Sequence, residues 1–158
     1  MAATDYVLKI KGIEGEAPEG GIEVQSYSIG VQNSASSHSG GSGAGKAAFK
    51  EMHFTMNVCT ASPKLFLACA GGDHIPEAVL SVRKSGGGSH PETYVKWKFT
   101  DVVISKYDNL GSMGGLIPHD DFSITFAKVE FEYRPQKANG SLGGAIPAGW
   151  DLKQGTKV

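Results

Sequence analysis

Residues 53–87 read HFTMNVCTASPKLFLACAGGDHIPEAVLSVRKSGG, and this stretch decides the fold because two strands flank a short helix within it. Apolar side chains alternate with polar ones in the run from Met52 to Val58. That period of two predicts a half-buried antiparallel strand with one face on the core. A second apolar run, from Ala78 to Lys84, predicts another strand after the helix.

The helix is marked by signals at both ends. Ser62 is a good N-cap, Pro63 suits the first helical position, and Gly71 with Gly72 can supply a left-handed C-terminal cap. We expect a helix from Pro63 to Ala70. Its apolar side chains at helical spacing predict the face that packs on a sheet or closes an open barrel end, and they are Leu65, Phe66 and Cys69.

Strand patterns dominate the rest of the chain. Alternating or β-branched and aromatic runs separated by Gly, Ser, Pro or Asp clusters predict strands at Tyr6 to Lys11, Ile22 to Val31, Tyr94 to Ile104 and Phe122 to Tyr133. The predicted fold class is mainly β: a β-barrel of two antiparallel sheets with one short flanking α-helix and a long Gly-rich extended loop.

Two predicted strands change their apolar parity partway along. The change falls between Val24 and Tyr27 in one strand and between Phe126 and Val129 in the other. A bulge that rotates the strand explains this pattern, and so does a strand covered on both faces. Cover on both faces would indicate a partner subunit.

Composition and charge restrict the class of protein. The 158 residues suit one domain, 1–158, with a loop-rich extension at 134–158. Formal net charge is −1, with no basic stripe for nucleic acid, and no apolar run approaches the roughly 18 residues that a membrane span needs. Cys59 and Cys69 are too few for a disulfide framework, and we expect Cys69 to be buried and reduced.

The segment HSGGSGAGK, His38 to Lys46, comes close to a nucleotide-binding loop. Gly40, Gly45 and Lys46 fit G-x-x-x-x-G-K, but Ala47 stands where a Ser or Thr should hold Mg²⁺. A polar stretch precedes the loop and strand alternation follows it, so no helix N-terminus would face a phosphate. We interpret the loop as a long excursion that packs on a neighbour.

No constellation of catalytic or metal-binding residues stands out. Asp73 with His74, and His119 with Asp120 and Asp121, lack a spacing that brings three ligands together, and surface loops explain them better. No G-x-S-x-G nucleophile context is present. We therefore expect no enzyme activity, no catalytic residues, no metal and no cofactor.

Several segments together resemble the haemolysin-coregulated protein family, Hcp, of type VI secretion systems. They are IEVQSYSIGV at 22–31, GGSGAGKAAF at 40–49, the stretch 53–87, FAKVEFEYRPQKANG near the C-terminus and the closing GWDL. The order of strand, Ser-Pro helix ending in ACAGG, His-x-Pro turn and strand ending in RKSGG is the most specific part. The resemblance covers nearly the whole chain.

The resemblance implies a structural subunit of the secretion tube. Six copies would form a ring, rings would stack into a hollow tube, and small effectors would be held in the lumen. The implied partners are further copies of this chain, such effectors, and the sheath and tip-spike proteins, without nucleic acid or membrane insertion. The protein would be made in the cytoplasm without a signal peptide and exported through the machine itself.

Two sets of residues receive roles through this resemblance. Small polar Ser26 and Ser28 would face the lumen and contact effectors. The residues of the inter-subunit loop would be Gly40, Gly41, Gly43, Gly45 and Lys46.

Two other functions remain open from the sequence. A tail-tube protein of a related phage-like contractile particle would have the same fold. A ligand-binding β-barrel is a different class, although no aromatic platform or carboxylate pair stands out in the loops.

Overall fold

Antiparallel strands make up most of the structure, a computed structural model that describes residues 4–35, 45–84, 92–115 and 117–158. The strands are β1 (Thr4–Ile10), β2 (Ile22–Val24), β3 (Ser26–Ser28), β4 (Val31–Asn33), β5 (Ala47–Phe49), β6 (Met52–Asn57), β7 (His74–Lys84), β8 (Glu92–Leu110), β9 (His119–Tyr133), β10 (Ile146–Asp151) and β11 (Thr156–Lys157). The helix α1 (Ser62–Gly71) lies between β6 and β7, and a short 3-10 turn covers Pro18–Gly20. The predicted mainly β fold class with one short helix is confirmed.

One large sheet wraps around the core. Its strand order runs β2, β1, β7, β8, β9, and β9 then divides its far edge between two neighbours. The first half of β9 pairs with β6, which pairs with β3, whereas the second half pairs with β10, which pairs with β11. Only Gln25 separates β2 from β3, so the chain itself links the two ends of a barrel-like sheet that hydrogen bonds do not close.

The core lies between the two halves of this sheet. Its largest fully buried side chains come from both halves and include Phe54, Phe99, Phe122, Leu8 and Ile22. Phe54 and Phe122 stack with ring centroids 5.1 Å apart across β6 and β9. Burial of each such side chain is worth about 1.5–3 kcal/mol, so this cross-strand contact helps to hold β6 on β9.

The first change of parity is a rotation of the strand at Gln25. Val24 is buried, Gln25 and Ser26 both face outward, and Tyr27 is half-buried against the core. Because two successive residues face outward, the inward side chains fall on even-numbered positions before Gln25 and on odd-numbered positions after it. The chain changes partners here, since β2 pairs with β1 and β3 pairs with β6.

The second change of parity affects both long strands at one corner. Phe99 pairs with Val129 and Val102 pairs with Phe126, and all four side chains are buried. Their spacing of three along each strand requires a rotation between the two rows, where Asp101 has a φ of 57°. Rotation of the strands, rather than a partner subunit on both faces, thus explains the sequence pattern at both places.

Asp101 is held at this corner by two other elements. Its carboxylate lies 3.3 Å from His74 Nδ1 at the start of β7 and 3.2 Å from Lys153 Nζ in the β10–β11 turn. Asp is one of the few residues besides Gly that adopts the left-handed conformation readily. Lys153, and then His74, hold the pKa of Asp101 below its ordinary value.

Helix α1 differs in two details from the prediction. Ser62 is its first residue rather than its N-cap, a position that Ala61 takes, while Gly72 ends the helix at a φ of 63° as expected. Leu65 is buried and Cys69 half-buried, but Phe66 is 57% exposed. Phe66 nevertheless contacts the sheet, because its ring meets that of Tyr107 in β8 edge to face with centroids 6.3 Å apart. Ala68, which the prediction did not include, lies on the buried face of the helix.

A buried polar network fastens the helix to the sheet. Asp120 in β9 is fully buried, and its carboxyl group accepts hydrogen bonds from Ser62 Oγ and, at 2.6 Å, from Asn109 Nδ2. Ser62 Oγ also accepts the backbone N–H of Cys59 at 3.0 Å. Burial, and then the Asp120 carboxyl, raise the pKa of the nearby Tyr107. The expectation that Asp120 lies in a surface loop is wrong, because Asp120 lies in strand β9 and its carboxyl group is buried. A buried carboxyl group needs hydrogen-bond partners, and Ser62 and Asn109 supply them.

Replacing Ser62 by Ala tests the strength of this network. Ser62→Ala leaves one oxygen of buried Asp120 without its donor, so we expect the free energy of unfolding to fall by about 1.5–3 kcal/mol. Urea titration followed by circular dichroism measures this. Ser105→Ala, at an exposed position of β8, is the control and should change stability by less than about 0.5 kcal/mol. Equal stabilities of the two variants would contradict the role given to Ser62.

Candidate functional site

Ser26 and Ser28 lie next to each other on the outward side of β3. Ser26 pairs with Thr55 of β6, and Ser28 pairs with His53. The Ser26 and Thr55 hydroxyls are hydrogen-bonded across the strands. The face thus contains more than the two serines predicted from sequence.

We call the outward side chains of this part of the sheet the polar face: Gln25, Ser26, Ser28, His53, Thr55 and Asn57. Gln25 Nε2 donates to Asn57 Oδ1 at 2.9 Å, which extends the cross-strand hydrogen bonding to its end. These side chains are hydroxyls, amides and one imidazole. The polar positions of β6 were visible in the sequence, but their pairing with β3 was not, because strand pairing is non-local.

Strand β9 borders the polar face on its other side. His53 Nδ1 lies 3.0 Å from Ser123 Oγ, and Thr55 pairs with Asp121. The Oδ1 atom of Asp121 is buried and has no hydrogen-bond partner among the described residues. Asp121 also pairs with Asp108 of β8, which Lys106 contacts at 3.4 Å. The nearest charged side chains on this side, such as Asp121, thus lie on β9 and β8, next to the polar face and not within it.

The outer surface of the other half of the sheet has a different character. Cross-strand rows there pair Lys96 with Glu132 and Lys98 with Glu130, and Lys9 lies two strands from Lys98. Opposite charges at paired positions stabilise the sheet modestly and keep the surface hydrated. The protein thus presents one charged outer surface and one polar face without a formal charge on its paired strands.

The Gly-rich loop is described only at its base. Gly40, Gly41 and Gly43 lie outside the described residues, whereas Gly45 and Lys46 close the ribbon of β4 and β5. The backbone N–H of Lys46 donates to Ser34 Oγ at 2.9 Å, and the Lys46 side chain is exposed.

Backbone geometry at the base of the loop requires glycine. A Cβ on Gly45 would lie 2.1 Å from the backbone nitrogen of Ala35. Ala47 starts strand β5 and not a helix. The helix N-terminus that a phosphate-binding loop needs therefore does not follow Lys46.

Two further findings concern ligands and membranes. Across residues 4–35, 45–84, 92–115 and 117–158, no three His, Cys, Asp or Glu side chains group as a metal site would require. Within the same ranges, no helix has the length and apolar character to cross a bilayer.

Comparison with known proteins identifies the family. The family described as "Type VI secretion system effector, Hcp" matches residues 7–133. The protein hcp1 of Pseudomonas aeruginosa is 34% identical over 114 residues, which cover 72% of this chain and 70% of the relative. A solved structure of a type six secretion system protein superposes with a TM-score of 0.90 at 31% identity, over 99% of this chain and 100% of the other. Hcp1 from Salmonella typhimurium superposes with a TM-score of 0.76 at 32% identity, over 99% of each chain. The chain belongs to the Hcp family of type VI secretion system proteins.

Proposed function

We propose that this chain is the subunit of a type VI secretion tube, in which six copies form a ring and rings stack into a hollow tube. Membership of the Hcp family supports a secretion tube protein, and Hcp is not an enzyme family. The work of such a subunit is structural: it encloses a channel and presents surfaces to its neighbours. Export through the same secretion machine accompanies this role.

The polar face is the observation that carries the proposal, because its chemistry suits the wall of a channel. A channel wall that lets an effector pass must stay hydrated and must not bind charged or apolar surfaces of the effector tightly. Hydroxyl and amide groups meet both needs, since each exchanges a hydrogen bond to water for one to a passenger at little net gain. Hydroxyl groups of the polar face also form hydrogen bonds across the strands, as between Ser26 and Thr55. These bonds hold the side chains close to the sheet.

Ser26 and Ser28 are placed in this proposal where effectors touch the wall. Both side chains are small and exposed, so they leave room for an effector above β3. His53, beside Ser28, is the largest polar side chain of the next strand and adds a ring nitrogen to the contact surface. Effectors that are small folded proteins would be held through many weak polar contacts and released without a dedicated step.

The loop based at Gly45 and Lys46 is proposed to reach a neighbouring subunit or the next ring. Its ribbon leaves the main sheet as a separate two-stranded unit whose β4 residues are all exposed. The exposed Lys46 ammonium then pairs with a carboxylate of the neighbour. Sheath and tip-spike proteins would contact other surfaces of the assembled tube.

Purified wild-type protein should assemble into rings. Native mass spectrometry should show a sixfold species at micromolar concentration, and negative-stain electron microscopy should show rings with a central channel. A stable monomer in both measurements would overturn the proposed function.

Enlarging Ser28 tests whether the polar face lines the channel. Ser28→Gln projects a longer side chain beside His53, so we expect rings to form normally while retention and export of a lumen effector fall at least about tenfold. Co-purification of effector with rings and its amount in the medium measure this. Ser81→Gln, on the charged outer surface of β7 opposite Lys96, is the control and should leave both readings unchanged. Wild-type levels with Ser28→Gln would contradict the placement.

Reversing the charge at Lys46 tests the loop contact. Lys46→Glu should leave the fold intact, because the Lys46 side chain is exposed. It should weaken contacts between subunits or rings, because the new carboxylate repels the partner carboxylate that the ammonium group attracted. Sedimentation velocity at low and high salt measures this, with the difference from wild type shrinking at high salt. Lys50→Glu, an exposed lysine just beyond β5, is the control. Equal assembly of both variants would reduce the loop to a spacer.

A further inference from the structure

The outward side of the sheet continues from the polar face onto β9 and β8. The pairing register extends the row of Ser26 and Thr55 through Asp121 to Asp108. Paired residues share a side of the sheet, so all four side chains face outward together. The preceding residue of β9, Asp120, is fully buried, as the alternation of side chains along a strand requires. We call Asp108 and Asp121 the acidic border.

Two like charges stand at paired positions in the acidic border. In the part of the chain that the structure describes, the other strand pairings between formally charged residues all join opposite signs. They are Asp5 with Arg83, Lys84 with Glu92, Lys96 with Glu132, Lys98 with Glu130, and Lys128 with Asp151. Like charges directly opposite each other destabilise a sheet, because their Cβ atoms lie only about 4.5–5.5 Å apart. The sheet thus bears a cost at the acidic border that it avoids elsewhere.

The chain compensates this negative charge only in part. Lys106 Nζ lies 3.4 Å from Asp108 Oδ2, and both side chains are exposed. Asp121 forms no ion pair with another described residue, and its buried Oδ1 atom has no hydrogen-bond partner there. Lys50 and Glu51, exposed side by side where the chain enters β6, balance each other in charge. The acidic border therefore leaves a net negative charge beside the polar face.

The neighbouring acid shows how a carboxyl group with a structural role is placed. Asp120 is fully buried and accepts hydrogen bonds from Ser62 and Asn109, so it fastens helix α1 to the sheet. Asp121 is half-buried and can be reached from the outward side, yet no donor among the described residues serves its Oδ1 atom. Packing does not account for Asp121, whereas a cationic group on a partner would offset the charge that Asp121 and Asp108 share.

We propose that the acidic border selects effectors by charge and favours those with lysine or arginine side chains on the surface that meets the channel wall. This rests on the proposed function, because it takes the polar face as the wall. Asp121 lies two strands from Ser26, or about 10 Å, so an effector that touches Ser26 also meets the acidic border. Asp108 is exposed and Asp121 half-buried, so each contact with a cation stays weak and allows passage.

Two labelled peptides of equal length provide the direct test. One alternates serine with lysine, and the other alternates serine with glutamate. Fluorescence anisotropy with assembled wild-type rings, at low salt and with EDTA present, should show the lysine peptide bound at least about tenfold more tightly. The preference should shrink at high salt, because the charges involved are accessible to solvent. Equal binding of the two peptides at low salt would overturn the proposal.

Neutral variants identify the carboxylates that carry the preference. The double variant Asp108→Asn with Asp121→Asn should still form rings, but should bind the lysine peptide within about threefold of the glutamate peptide. Glu132→Gln is the control, because it also lies on β9 but is paired with Lys96 on the charged outer surface. It should keep the wild-type preference. An unchanged preference in the double variant, or an equal loss in the control, would place the selecting charge elsewhere.

Thermal unfolding separates a selective role of Asp121 from a structural one. Removing one of two facing like charges should stabilise the protomer, so we expect Asp121→Asn to raise Tm by about 1–3 °C. Asp120→Ala should lower Tm instead, because it leaves the donors of Ser62 and Asn109 without their acceptor. A Tm of Asp121→Asn well below that of wild type would assign Asp121 to the fold and contradict the proposal.

The wild-type protein distinguishes the failure of charge selection from the failure of the proposed function. Wild-type rings that bind both peptides equally would overturn charge selection and leave the tube in place. A wild-type monomer would overturn the tube, and the same titration on that monomer would then examine the acidic border alone. Preference of the monomer for the lysine peptide would support the acidic border as a surface for basic partners, and equal binding would overturn both proposals.

Discussion

The rotation of β8 and β9 at their shared corner is the constraint on which the rest of the structure depends. These two strands are the longest in the described chain, and one straight hairpin of that length could not enclose a core. Their inward sets change together at Asp101, so both halves of the hairpin keep apolar side chains on the inside. As a result, the edge of β9 that faces away from β8 is divided, and β6 pairs with its first half while β10 pairs with its second half. Asp101 tolerates the left-handed conformation, and its contacts with His74 and Lys153 tie the corner to two further elements.

The divided edge explains why one small protein has surfaces of such different chemistry. Where β6 and β3 continue the sheet, the inward side chains meet those of the opposite half and are buried, so only the outward polar face remains. Where β10 continues it, the opposite half covers the inward side chains only in part, so Trp97 is half-buried while Phe131 and Tyr133 stay exposed. The same alternation of side chains thus leaves a polar outward face in one half and partly exposed apolar side chains in the other.

Local features of the sequence predicted most of the elements, while non-local contacts decided the details. Period-two patterns predicted strand β6, and Gly72 predicted the end of α1, because both depend on neighbouring residues only. Ser62 read as an N-cap since nothing nearby revealed Asp120, 58 positions away, whose carboxyl takes the hydroxyl instead. The spacing of Phe66 predicted contact with the sheet, and Phe66 does meet Tyr107, but only the orientation of α1 shows that 57% of the side chain stays exposed. Strands β10 and β11 lie in a segment expected to be loop-rich. Pairing of β10 with β9 and of β11 with β10 overrides the tendency of Pro147 and Gly149 to break a strand.

The candidate site followed the same division between local and non-local information. The serines of β3 were identified through the family resemblance, but only the register showed that Thr55 and His53 complete a surface with them. The exposure of Phe131 and Tyr133 had no signal in the sequence, because both continue the alternation of core residues along β9 and only the folded sheet shows that they are left partly uncovered.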